Sequence, residues 1–92
     1  MSKMMTTPER IEKARQLIVD ARQLQAPDSA GWEYFSYTAQ VKDLLKQAFE
    51  LVKLIQYSPA ASAELKAETR TLIESLPEIE REILKPDNAN KN

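Results

Sequence analysis

From Tyr34 to Ile55 the chain sets an apolar residue every three or four positions: Tyr34, Tyr37, Val41, Leu44, Ala48, Leu51 and Ile55. Leu45 and Val52 widen the stripe. This is the period of an α-helix that turns one broad face to a core. Two further stripes share it. Ile11, Ala14, Leu17, Ile18, Ala21 and Leu24 form one, and Leu65, Thr69, Leu72, Leu76, Ile79 and Ile83 form the other. A single glycine in 92 residues argues against turn-rich β folds and glycine phosphate loops, since average usage is about 7%.

Punctuation marks the boundaries. Thr7-Pro8-Glu9 supplies a cap, a proline at the first helical position and an acid in the first turn. Gln25-Ala26-Pro27 ends that helix, because the residue before proline is pushed out of the α region. The second helix opens near Asp28 or Ser29, and Ser58-Pro59 separates it from the third. Pro77 falls inside the third stripe without breaking its phase. The expectation there is a helix kinked at Pro77, or two collinear helices with Ser75 and Glu78 as a cap at the restart. The expected fold is all-α: an antiparallel three-helix bundle with helices at about 8–26, 29–57 and 59–85. Residues 1–6 and 86–92 lack periodicity and are read as disordered ends of a single domain, 7–85.

A short turn after Tyr57 makes the second and third helices antiparallel neighbours. Folding there sets Leu51 against Leu65, Leu44 against Leu72 and Tyr37 against Ile79. The same register places Lys42 beside Glu74, Glu50 beside Lys66 and Lys53 beside Glu64.

Composition removes most chemistries. With no cysteine and no histidine, thiolate and imidazole metal sites and Cys/His or Ser/His nucleophilic pairs are ruled out. Glu74, Glu78 and Glu82 are spaced one helical turn apart, with Glu80 between them. Arg81 and Lys85 offset them, so a solvated acidic face is expected rather than a metal or acid–base site. No catalytic residue, cofactor or metal ligand is therefore assigned. Thirteen basic and fourteen acidic residues leave a net charge of −1, which is no electrostatic footprint for nucleic acid. The lysines at 42, 46 and 53 are interleaved with Asp43 and Glu50. The longest apolar runs, such as Leu17-Ile18-Val19, are far short of a membrane span, and a cytoplasmic protein is expected.

The stretch GWEYFSYT, 31–38, gathers the only glycine, the only tryptophan and four of the six aromatic residues. Tyr34 and Tyr37 share the core stripe and are expected inside. Trp32, Phe35 and Phe49 lie round the helix from it. Either the first helix covers them, or they form an exposed apolar strip of the kind that marks a partner interface. These three are the candidate partner-binding residues. The functional expectation is a small helical protein–protein interaction module (an adaptor, accessory subunit or regulator) that associates with itself as a homodimer. The alternative is a small nucleic-acid-associated regulator.

Overall fold

The computed structural model describes residues 5–28 and 31–84. It contains α1 (Thr7–Gln23), α2 (Trp32–Val52), a single 3-10 turn (Ile55–Tyr57) and α3 (Ala63–Ile83), with no strand among the described residues. The all-α three-helix bundle is what the stripes require. α1 lies antiparallel to α2, since Arg10 near its start donates through Nη1 to the carbonyl of Leu51 at 3.2 Å. α1 runs parallel to α3, with Arg15 bridging to Glu68 and Arg22 to Glu82.

Several boundaries move. The N-cap of α1 is Thr6 rather than Thr7, and it forms a full capping box. Its hydroxyl accepts from the Glu9 amide at 3.3 Å, while the Glu9 carboxylate accepts from the Thr6 amide at 2.9 Å. Thr6 thus belongs to the domain; residues 1–4 and 85–92, including the tail read as disordered, lie outside the described residues. α1 stops at Gln23, three residues before Ala26. α2 starts at Trp32 behind a Gly31 cap instead of behind Asp28; Ser29, the other candidate cap, is not among the described residues. α2 ends at Val52, and the chain tightens into the 3-10 turn instead of continuing as an α-helix to 57. α3 begins at Ala63, with the Ser62 hydroxyl accepting from the Leu65 amide at 3.1 Å, so the cap-plus-proline pair Ser58-Pro59 belongs to the loop.

Across Pro77 α3 is one uninterrupted helix, which excludes two collinear helices; a kink at Pro77 is not confirmed. Ser75 does not cap a restart. Its hydroxyl donates back to the Leu72 carbonyl at 2.7 Å, a local bond that helical Ser commonly makes.

The interhelical register also differs. Lys42 Nζ lies 4.0 Å from Glu80 Oε2, in place of the expected Glu74. That is a shift of six residues, or about 9 Å along a helix. Lys53 pairs within its own chain segment with Glu50 at 2.6 Å, not with Glu64. The reason is the connection: the 3-10 turn extends the descending arm to Tyr57, and α3 starts only at Ala63. The reversal therefore lies later in the chain than a tight turn at 57–59 would put it.

The core is built from Ile11, Leu17, Ile18, Tyr37, Val41, Leu45, Val52, Ile55, Leu72, Leu76 and Ile79. Ala14, Ala21 and Ala48 are fully buried, and the helices that carry them, α1 and α2, lie close together. α3 stands further off. An open groove of about 390 Å³ separates α2 from α3, floored by Leu45, Phe49, Ile73, Leu76 and Pro77.

One core position conflicts with its surroundings. Thr69 is fully buried in α3, and its hydroxyl has no hydrogen-bond partner among the described residues. An unsatisfied buried hydroxyl costs about 1–3 kcal/mol. Thr69→Val keeps the shape and removes the hydroxyl, so it is expected to stabilise the fold by about 1 kcal/mol. A urea titration reads this as a raised midpoint at unchanged slope, and a lowered midpoint would show that the hydroxyl is satisfied.

Candidate protein-interaction surface

The exposed surface follows from helix lengths. With Arg10 level with Leu51 and α1 antiparallel to α2, the last residues of α1 come level with Tyr37. Lys42 level with Glu80 likewise brings the end of α3 near Ala39. The first turn and a half of α2 therefore stands clear of both neighbours.

Its side chains divide accordingly. Tyr37, the first aromatic residue that α1 reaches, is buried, whereas Tyr34 is exposed. The expectation that both tyrosines are core is thus half wrong: the helical phase is right, but the neighbouring helix ends too early to cover Tyr34. The two rings remain in contact, with centroids 5.8 Å apart.

Trp32 and Phe35 are the sharper case. They retain 76% and 64% exposure, and their rings stack on each other at 5.7 Å with planes 25° apart. α1 does not cover them, so of the two alternatives burial under the first helix does not hold. Gly31 holds this end of the helix. Its φ of 91° lies in a region that side-chain-bearing residues avoid, and its carbonyl accepts from the Phe35 amide at 2.9 Å. The chain thus turns sharply into α2 and sets Trp32 in the first helical position.

Phe49 is not part of that pair. It lies about 21 Å beyond Phe35 along α2 at 1.5 Å per residue, exposed to the same extent as Tyr34, in the floor of the groove between α2 and α3. The three candidate residues thus make two features, a stacked aromatic pair and a groove residue.

Two exposed apolar residues escaped the sequence reading. Leu54 and Tyr57, at 68% and 74% exposure, flank or close the 3-10 turn at the far end of α2. Leu54 falls off the core stripe, and that was the available signal; a continuous helix to 57 obscured it.

The charged groups are a solvated shell. The ion pairs Arg15–Glu68 and Arg22–Glu82 tie α1 to α3 but remain open to water, where such pairs contribute little. A hydrogen bond from Lys53, with the Lys53 and Lys46 charges nearby, holds the Glu50 carboxyl below its ordinary range. Among the described residues no three acidic side chains gather as a metal site, and no helix is long and apolar enough to cross a membrane. Among known proteins, no family model, no curated sequence and no solved structure matches this chain.

Proposed function

We propose that this chain is a protein–protein interaction module, an adaptor, accessory subunit or regulator rather than an enzyme, with the cytoplasm as its compartment. Its binding surface is centred on Trp32 and Phe35, with Phe49, in the separate groove between α2 and α3, as a second contact point. The observation that carries this reading is the stacked pair itself. Two large aromatic rings lie mostly in water and cover each other instead of core. Aromatic residues so placed are enriched among the few side chains that dominate binding energy.

Because both rings lie outside the core, the double variant Trp32→Ala/Phe35→Ala is expected to melt at the wild-type temperature. Immobilised and exposed to an extract of the native cells, it is expected to lose the proteins that the wild-type chain retains. Retention of the same set by the variant would refute the assignment. The nucleic-acid alternative predicts a tight complex with duplex or single strands at physiological salt. The near-neutral, interleaved surface supports binding no tighter than about micromolar, and a sequence-dependent nanomolar complex would reverse the ranking.

A further inference from the structure

Trp32, Tyr57, Leu54 and Phe35 are the four most exposed large hydrophobic residues among those described. They occupy the two ends of α2 and its 3-10 extension, and one sequence stripe joins them. Trp32, Phe35, Ala39, Asp43, Lys46, Glu50, Leu54 and Tyr57 follow one another at spacings of 3, 4, 4, 3, 4, 4 and 3. At about 100° per residue they share the side of α2 opposite its buried residues Tyr37, Val41, Leu45, Ala48 and Val52. All eight are exposed.

The spacing reads the same from either end, and reversal also matches the chemistry. Turned against itself, the stripe sets Trp32 on Tyr57, Phe35 on Leu54, Ala39 on Glu50 and Asp43 on Lys46. Apolar meets apolar at the ends, and acid meets base at the centre. Between them the small Ala39 side chain leaves the Glu50 carboxylate room to keep its bond from Lys53, made at 2.6 Å on the same chain. A parallel match would put Asp43 on Asp43 and Lys46 on Lys46. Asp43 has a local partner as well, since Gln47 donates to it at 2.8 Å. Those contacts still leave Asp43 and Glu50 exposed.

We infer that the occupant of this face is a second copy of the chain, bound antiparallel through α2 about a two-fold axis between Asp43 and Lys46. A two-fold contact requires one surface to be complementary to itself. In this arrangement each aromatic pair lies against the Leu54–Tyr57 corner of the other chain, with an alternating charged centre fixing register and direction. The inference rests on the proposed interaction role of Trp32 and Phe35, but it adds a residue that role does not require: Tyr57, at the other end of the helix.

Sedimentation across concentrations tests it. Wild type is expected to move from 10.5 kDa towards twice that mass as concentration rises. Tyr57→Ala and Trp32→Ala are each expected to weaken the dimer by about ten-fold or more without altering the melt of the diluted chain. Asp43→Lys and Lys46→Asp are each expected to weaken it, and the double exchange to restore it. The chain has no cysteine, so a mixture of Ala39→Cys and Glu50→Cys chains is expected to yield a mixed disulfide dimer on mild oxidation. A wild-type chain that stays monomeric at millimolar concentration would overturn the dimer. So would a dimer indifferent to Tyr57→Ala, or a charge exchange that fails to restore. The extract experiment with Trp32→Ala/Phe35→Ala reads the broader interaction role separately, because Tyr57→Ala leaves that pair intact.

Discussion

Leu45→Ala is expected to lower the unfolding free energy by about 2–5 kcal/mol, the range for truncating a buried leucine. Leu45 is only 4% exposed and sits where α2 faces α3, forming the groove floor with Ile73 and Leu76. Ninety-two residues give little in reserve, since small-domain stabilities are about 5–15 kcal/mol in total. At about 4–8 °C per kcal/mol for a domain this size, the melting temperature followed by circular dichroism should fall by about 8–40 °C. The neighbouring Leu44→Ala is the control. Leu44 is half-buried, so its cost should be clearly smaller, and equal costs at the two positions would show that the buried face of α2 is assigned wrongly.

Ala48→Leu is expected to destabilise by about 1–3 kcal/mol, through overpacking rather than loss of contact. Ala48, Ala14 and Ala21 have no exposed surface at all, and they belong to the two helices that lie closest together. A leucine at the fully buried Ala48 is expected to push its neighbours apart. The same substitution at an exposed alanine of α3, Ala67→Leu, should change stability by less than about 0.5 kcal/mol. Denaturant midpoints of the two variants separate the effects, and a neutral Ala48→Leu would mean that the α1–α2 contact is loose.

The number, order and direction of the helices were legible because each stripe has its own phase and each gap has its own proline or cap. Which of two adjacent residues points inward was not. Leu44 and Leu51 lead the stripe in the sequence, yet Leu45 and Val52 are the buried ones, because a helix flanked on two sides has a wide apolar face. Only the docking side of α1 selects its centre. The interhelical register was missed for a similar reason: the 3-10 turn at Ile55–Tyr57 is a local tightening that helical periodicity does not signal. For the exposed aromatic pair, position off the core stripe was enough to single out Trp32 and Phe35. The exposure of Tyr34 depends instead on where α1 stops, and Gln23 carries no mark of that in the sequence.

The wider separation of α3 has a consequence for motion. α1 and α2 lie close together, whereas α3 stands further off and is tied to them by three water-exposed ion pairs. Protein domains open in cooperative units, and the unit with the fewest close contacts opens at the lowest free energy. α3 is that unit. Its amide protons are therefore expected to exchange by partial opening, and those of α1 and α2 only on global unfolding. The gap between α2 and α3 is then expected to open before the α1–α2 pair behind the aromatic face does.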